Sequence, residues 1–577
     1  MQIMRWLPIL VLLSLPLFVL AQNADDAAKE NQRRQSLLVA QLLADIPNLK
    51  LGENRAVAYA KVGNLIWKND QKLARAMFQD AVNELINAQM LAESNQKRPT
   101  YQNELLTGGS ARPQILNTIA SRDAEFALAL LIKTRPAAIV KALSIPAGKS
   151  TKISYSAANF GYLAQNEFNM EQSFVRMAAD QSPERAVKFL KESLKKGFSN
   201  ETLNLLKKLH EKERETAAGL ASEISDKLIS SKFTTDNQPN YQNLQIAIAF
   251  LTDFIRERNP TDNTFKLDDS QMRKLADKLF SYYLDEGGRD GYYLSHSIIQ
   301  IAEKLSPSSV EQLKKVVKNS SRHGLYSNYD PDLQKMLNSD ATGDQLLAEA
   351  KKYPLDSRRQ IYQTAANKFL QQGDAGRAAD VLNENFSDDA LDDALRNLNW
   401  QHSGNLIASG KFAEAERLID EFPENSRHYP LINLANAIYQ KDRVENSSYA
   451  LAVLGKARSL IAEKPENASE MGNLMQVIAA YANIEPTEAF RMYEPLIAQM
   501  NELSEAAIVV NGFQGGSNVR EGEFLMAQGH SYGFYGADFS VLRTFAGNDF
   551  ERTTRLIDAF TRREMRISLK IQLAEGF

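Results

Sequence analysis

The sequence predicts an all-α fold in which antiparallel helical hairpins stack into an α-solenoid. A short unit recurs along the chain, most clearly as GDAGRAADVL at Gly373–Leu382 and as GKFAEAERLI at Gly410–Ile419. Its clearest copies follow a fixed spacing, and the alternating β-branched residues that indicate strands are scarce. A fixed period of about 20 to 50 residues is typical of stacked-repeat proteins.

The spacing becomes visible when the copies are aligned on the residue that starts each short helix. Four start residues each precede an alanine by four positions, and neighbouring start residues lie 37 positions apart. That length accommodates two helices of about 14 residues and two short turns. The pairs are Asp374 and Ala378, Lys411 and Ala415, Ser448 and Ala452, and Glu485 and Ala489; less regular copies start at Asp70, Asp123, Ser182 and Asp549, followed by Ala74, Ala127, Ala186 and Thr553.

The residue types around each start position suit a tight turn between two helices. Aspartate and serine can cap a helix, and Pro183 and Pro486 stand in a first turn, where proline costs no hydrogen bond. Small residues on both sides of the turn let the helices approach closely, while larger residues such as Leu382 and Ile419 fill the space between them. The small residues three positions before a start are Ala120, Ala179, Ala408, Ala482 and Ala546.

The region from about 350 to 500 resembles the tetratricopeptide repeat. Tyr362, Phe369, Ala378 and Leu382 fit the pattern of that family. The period of 37 is longer than the roughly 34 residues of the family, and Ser403 departs from the pattern together with Leu406. The resemblance implies a surface for protein binding or scaffolding and names no ligand.

Composition and the N-terminal segment predict an exported protein. Residues 1–21 read as a signal peptide, because Arg5 precedes an apolar run at Leu7–Leu20 and Ala21 offers a cleavage site. An uncleaved anchor is the alternative, although the run is short for a membrane span. The sequence has no cysteine, so disulfides are excluded, and a bacterial periplasm or exterior is the predicted location. A net charge of −3 gives no reason to expect nucleic acid as a partner.

The rest of the chain is predicted to divide into three helical segments, at 22–240, 241–345 and 346–577. An amphipathic first helix is expected within residues 22–48. Loops rich in Asn, Asp, Thr and Pro are expected at Ser230–Tyr241 and Arg256–Asp269, on either side of a helix at Leu244–Ile255.

An insertion at 511–548 interrupts the repeats, because the start residue expected at 522 appears at Asp549. The insertion contains eight glycines and seven aromatic residues. Dense glycine opposes a continuous helix, and dense aromatic residues need burial or a ligand. The insertion either carries a binding loop or folds back onto the last helices. The possible partner-binding residues are Phe513, Phe524, His530, Tyr532, Phe534 and Tyr535.

No catalytic, cofactor or metal site is predicted. Ser531 lies in a GHSYG match to a hydrolase motif, but no histidine follows it to complete a triad. Gly148–Thr151 lacks the leading glycine of a phosphate loop, and the six histidines are isolated. Asp285 and its neighbours lack the late glutamate of a calcium loop, and the acidic pairs at 388–389 and 392–393 read as a solvated helix start.

The sequence therefore favours a protein that acts by binding another protein or a peptide. Its groove and the 511–548 insertion are the surfaces expected to do so. A helical-toroid enzyme acting on envelope or extracellular glycans or peptides is the alternative, and converging carboxylates would favour it.

Overall fold

The fold is all-α, as predicted. The computed structural model describes residues 7–94, 111–143, 155–180, 182–195, 197–199, 201–235, 238–256, 267–285, 292–321, 331–514, 518–528 and 539–577. Within these ranges, the β-structure consists of two pairs of strands, and each strand is two residues long. Consecutive helices joined by tight turns pack against each other, which makes them antiparallel hairpins.

The chain forms two compact units, and the first is discontinuous in sequence. Unit 1 comprises residues 1–122 and 419–577. Its first part has α1 Leu7–Asp45, α2 Gly52–Ile66, α3 Gln71–Ser94 and α4 Ala111–Ala120, with a 3₁₀ turn at Ile46–Asn48. Its second part has α21 Glu424–Lys441, α22 Ser447–Ser459, α23 Ala468–Ile484, α24 Pro486–Gln514, β3 Val519–Arg520, β4 Glu523–Phe524, a 3₁₀ turn at Met526–Gln528, α25 Val541–Asn548, α26 Phe550–Asp558 and α27 Arg563–Ala574.

Unit 2 comprises residues 123–418. It begins with α5 Ala124–Lys133, α6 Ala137–Leu143, α7 Tyr155–Ala178, α8 Pro183–Leu194, α9 Thr202–His210, α10 Arg214–Ser230, β1 Thr234–Thr235, β2 Gln238–Pro239 and α11 Tyr241–Ile255. It continues with α12 Asp269–Asp285, α13 Tyr292–Leu305, a 3₁₀ turn at Pro307–Ser309, α14 Val310–Ser321, α15 Pro331–Leu337, α16 Gly343–Ala350, α17 Leu355–Gln371, α18 Ala375–Asn385, α19 Asp388–Ala408 and most of α20 Phe412–Asp420. The predicted divisions at 21, 240 and 345 stay predictions.

The recurring alanine is a packing position in the first turn of each short helix. In seven of the eight predicted copies the residue four positions after the start is fully buried, including Thr553, which replaces alanine in the last copy. Its N–H donates to the carbonyl of the start residue, as in Ala378 to Asp374 at 3.1 Å. Aspartate start residues also cap the helix through the side chain, whereas Ser182 forms no side-chain cap.

The predicted third copy, with its start at Ser448, is displaced by two residues from the copy in the structure. The helix at this position begins after Asn446, and Ala450 is the fully buried alanine, while Ala452 is exposed. The true intervals on either side of Asn446 are therefore 35 and 39 residues, so the even 37-residue period does not hold there. A further copy was missed at Glu213, which precedes the buried Ala217.

Gly373 and Gly410 end one helix and start the next within two residues. Both have left-handed backbones, with φ of 86° and 74°. The N–H of Gly373 donates to Leu370 and that of Asp374 to Phe369, and the pair at Gly410 repeats this arrangement. This is the Schellman motif, which satisfies the last carbonyls of the preceding helix. At the first of these turns, Asp374 then caps the following helix, as the residue order Gly-Asp predicts.

Four of the five predicted small residues before the turns are buried. Ala408 is exposed, so it does not bring two helices together. Ala120, Ala179, Ala482 and Ala546 are at most 3% exposed.

The predicted first helix and the predicted middle helix are both present. The first extends to Asp45, and the second spans Tyr241–Ile255 with Asn240 as its cap. The predicted loop at Arg256–Asp269 lies mostly outside the described residues. Among the helices that are described, none combines the length and the apolar character needed to cross a membrane.

Candidate functional site

The last three turns of α24 present an exposed apolar face. Phe513 is 93% exposed, Val509 71%, Val510 54% and Leu503 39%. Positions 503, 506, 510 and 513 follow one another in steps of three, four and three residues, and 509 lies three after 506 and four before 513. The side chains at these five positions therefore share one side of the helix. Apolar side chains exposed singly are ordinary, whereas a contiguous group indicates an interaction surface.

One end of this apolar face carries a carboxylate. Glu502 is exposed and lies four residues before Ala506, on the same side of the helix. Among the described residues it forms no ion pair. Its neighbour Glu505 instead faces the guanidinium of Arg562, at 3.3 Å. The surface therefore consists of an apolar stripe with one free negative charge at its N-terminal end.

The opposite side of α24 is fixed to the last helices. The side-chain amide of Asn501 donates to the carbonyl of Ala559 at 3.0 Å and accepts from the N–H of Thr561 at 2.9 Å. Met500 and Ser504, on the same side as this contact, are fully buried. Because one side of the helix is held in this way, the apolar face on the other side is presented in a fixed orientation.

A β-hairpin at β3 and β4 follows α24 and joins it to the start of the chain. Val519 pairs with Phe524 and Arg520 with Glu523 across the hairpin. The N–H of Val519 donates to the side chain of Asn511 in α24 at 3.1 Å. Glu521 and Gly522 form the turn with positive φ, which is the conformation required of a two-residue hairpin loop.

Two side chains hold the hairpin on α2. The amide of Asn54, fully buried, donates to the carbonyl of Phe524 at 2.7 Å and accepts from the N–H of Met526 at 2.8 Å. The carboxylate of Glu523 accepts from the N–H groups of Lys50 at 3.0 Å and Leu51 at 2.8 Å, immediately before α2. Both side chains therefore satisfy buried backbone groups that lack partners within their own elements.

Buried charges complete this contact. Glu53 pairs with Arg520 at 2.8 Å, and Glu564 accepts from the N–H of Phe524 and from Arg562, both at 3.2 Å. Burial and the charge of nearby Glu564 raise the pKa of Glu523, against the lowering effect of its hydrogen bonds to Leu51 and Lys50. The hairpin is thus a structural connection between the two sequence-distant parts of unit 1.

The structure separates the six predicted partner-binding residues. Phe513 lies on the apolar face described above. Phe524 is 4% exposed within the hairpin contact, which is a core position and not one that a partner could reach. His530, Tyr532, Phe534 and Tyr535 lie outside the described residues, so for them partner binding stays a prediction.

The sequence reasoning missed the other members of the apolar face. Leu503, Val509 and Val510 precede the predicted insertion, in a segment that reads as an ordinary amphipathic helix. Their periodicity would have identified a helix face, but periodicity alone does not distinguish a face covered by another helix from an exposed one. Hairpin residues 518–528 do fold back onto the last helix, in agreement with the alternative interpretation of the insertion.

The other motifs considered in the sequence give no assembled site in the described part of the chain. Ser531, the Gly148–Thr151 loop and Glu286 with Asp290 fall outside it. The acidic pairs at 388–389 and 392–393 are exposed at the start of α19, as a solvated first turn predicts. Within the described ranges no group of three or more His, Asp or Glu side chains could hold a metal ion.

Comparisons with known proteins give only distant structural likeness. No protein-family model and no curated protein matches the chain. A solved circular tandem repeat protein with novel repeat topology and enhanced subunit contact surfaces is 12% identical, with a TM-score of 0.18 over 94% of this chain and 96% of that one. The APC/C hetero-tetramer Cut9–Hcn1 is 12% identical, with a TM-score of 0.15 over 88% and 96%. Scores this low support no argument.

Proposed function

We propose that this chain is an exported helical-repeat protein that binds a partner protein through the apolar face of α24. The observation that carries the proposal is the exposure of Phe513, Val509 and Val510 on one side of a helix whose other side is anchored. An exposed apolar helix face of this kind can pack against the apolar face of a second, amphipathic helix. The tetratricopeptide-like residues between 350 and 500 support the same class of function.

The occupant we propose is an amphipathic helix of the partner that carries a lysine or arginine at one end of its apolar side. Apolar residues at helical spacing would pack against Val509 and Phe513. The basic residue would face Glu502, which has no partner of its own in the described chain and which would repel an acidic segment. Charge complementarity therefore favours a basic amphipathic helix over an acidic one.

Photo-crosslinking tests the surface directly. A photoreactive residue is placed at position 513 of the full chain, and the crosslinked peptide from a cell-envelope extract is identified by mass spectrometry. The matched control carries the same residue at Val444, which is 87% exposed in a turn elsewhere in unit 1. We expect a basic amphipathic segment to be crosslinked from 513 and not from 444.

A synthetic peptide of the crosslinked segment should then bind the wild-type chain, and Phe513→Ser should weaken binding by tenfold or more. Exposed Phe513 contributes little to folding, so this substitution leaves stability within about 0.5 kcal/mol. Equal crosslinking from both positions, an acidic segment, or a second copy of the chain as the crosslinked species would contradict the proposal.

Export is tested separately, by N-terminal sequencing of the protein from fractionated bacterial cells. We expect the mature chain to begin at Gln22, because the apolar run ends at Leu20 and Ala21 is a small residue at the cleavage position. Recovery of the intact N-terminus in the cytoplasmic fraction would contradict export without affecting the binding surface.

A further inference from the structure

Three cationic side chains converge on one cavity of unit 1 without a carboxylate partner. The cavity has a volume of about 190 Å³, and its lining includes Lys50, Arg563 and Arg566. Among the described residues, none of the three forms an ion pair. Arg562 also lines the cavity, but it is neutralised by Glu564 at 3.2 Å and Glu505 at 3.3 Å.

Backbone carbonyls hold these side chains in place and leave donors unused. Arg566 donates through Nη1 to the carbonyls of Phe560 at 2.7 Å and Thr561 at 3.2 Å. Arg563 donates through Nη1 to the carbonyl of Asn48. The Nε and Nη2 groups of both arginines have no described acceptor, and the Lys50 ammonium makes one long contact of 3.5 Å to the backbone carbonyl of Glu521. Each arginine therefore keeps one guanidinium edge available to a ligand.

The two carboxylates that line the cavity are engaged elsewhere. Glu523 accepts from the N–H groups of Lys50 and Leu51, and Glu564 accepts from Phe524 and Arg562. Charge within the cavity is therefore positive overall, and its cations repel one another unless an anion is present.

We propose that this cavity binds an oxyanion, the phosphate or carboxylate group of a ligand that nothing else in the structure assigns. Guanidinium edges match the oxygen geometry of either group. Helix α27 also begins at Arg563, so its positive N-terminal end lies at the same cavity. The volume exceeds that of a single water molecule, about 30 Å³ in the liquid, and accommodates a tetrahedral oxyanion.

The competing interpretation is that the three cations only stabilise the carbonyls at the ends of their neighbouring elements. If that were their only role, any variant lacking one of the three cations would be less stable, and anions would not change the stability of the wild-type chain. Anion binding to the full-length chain is therefore the measurement that separates the two interpretations.

The test compares inorganic phosphate, acetate and chloride at constant ionic strength, using thermal unfolding and ³¹P NMR line broadening. We expect phosphate, acetate or both to raise the unfolding temperature above the chloride value, and the two arms distinguish a phosphate site from a carboxylate site. Arg563→Gln and Arg566→Gln should each weaken the binding of the effective anion by tenfold or more.

Arg491→Gln is the matched control, because Arg491 is an exposed arginine of unit 1 that pairs with Glu488 outside the cavity. Lys50→Met provides a variant that removes a cation with little loss of hydrogen bonding. No response beyond chloride in the wild type, or an unchanged response in Arg563→Gln, Arg566→Gln and Lys50→Met, would overturn the proposal.

Discussion

Asn54 is the residue on which the hairpin contact depends most directly. Its side-chain amide replaces a peptide group, with one donor and one acceptor that match the carbonyl of Phe524 and the N–H of Met526. Both backbone groups are buried, so neither can turn to water if the amide is removed. A side chain of this size in the first turn of a helix is otherwise unremarkable in the sequence.

Replacing this residue by alanine should cost about 2 to 4 kcal/mol of unfolding free energy, because two buried backbone groups lose their partners at once. Urea denaturation of the full chain measures the change. Asn83→Ala is the control, since Asn83 is exposed on α3, and should stay within about 0.5 kcal/mol of the wild type. Similar values for the two variants would show that the hairpin is not held as described.

Glu523 predicts a pH dependence with a definite sign. Its pKa in the folded chain is raised by burial and by Glu564, so the folded state binds the proton more tightly than the unfolded state. Stability therefore falls as pH rises from the unfolded pKa through the folded pKa. Glu523→Gln removes this contribution and keeps an acceptor for the N–H of Leu51.

We expect Glu523→Gln to gain stability relative to the wild type as pH rises from 4 to 7. Urea denaturation of both proteins at several pH values measures the difference. A difference that stays constant, or that changes in the opposite direction, would contradict the raised pKa. Glu521→Gln, an exposed neighbour in the hairpin turn, is the control.

At the scale of the element, the turn between two helices is set by the order of glycine and start residue. Gly373 and Gly410 occupy left-handed conformations that side chains disfavour. Their following residues close the preceding helix and open the next, so no additional loop residue is needed. This economy explains why the unit is most recognisable at these two copies.

Alanine at Gly373 or Gly410 should therefore destabilise the chain by about 1 to 2 kcal/mol each. The same substitution at Gly404 or Gly455 should stabilise it by about 0.5 to 1 kcal/mol, because both glycines are helical and a Cβ there meets no neighbour. Thermal or urea unfolding of the four variants gives the comparison. Loss of stability at all four positions would indicate that left-handed backbone is not the cause.

The third repeat shows why the register could not be set by spacing alone. Ser448 with Ala452 and Asn446 with Ala450 both place a residue type that can cap a helix four positions before an alanine, although the Asn446 side chain forms no capping hydrogen bond. The buried positions of α22 are 450, 453, 454 and 457, a helical periodicity that was legible in the sequence and that favours Asn446. The chain adopts this register because it places Val453 and Leu454 in the core.

At the scale of the whole molecule, unit 1 is assembled from both ends of the sequence. Helices α1 and α2 pack on α27, and the 3₁₀ turn after the hairpin packs on α2 and α4. Many residues of α27 are buried, including the charged Glu564 and Lys570. Neither segment of unit 1 buries its own apolar surface without the other, since each supplies part of a common core.

Fragments 22–122 and 412–577 should therefore associate when mixed, and each alone should unfold at a lower temperature than the pair. Analytical ultracentrifugation and calorimetry measure the complex. Introducing Asn54→Ala into the first fragment should weaken association by tenfold or more, since 1.4 kcal/mol corresponds to one factor of ten. A shared core would be contradicted if fragment 412–577 stayed monomeric in the mixture and unfolded at the same temperature alone as with its partner.

The sequence by itself determined the helical class, the short-helix starts and the buried alanines, because capping and helical periodicity are local properties of the chain. It also singled out Phe513 near the interrupted repeat. Tertiary structure decided which aromatic residues are exposed and how Asn54 and Glu523 join the two chain ends. The junction of the chain ends depends on contacts between residues more than 400 positions apart, and no local pattern encodes which distant surface will cover a given face.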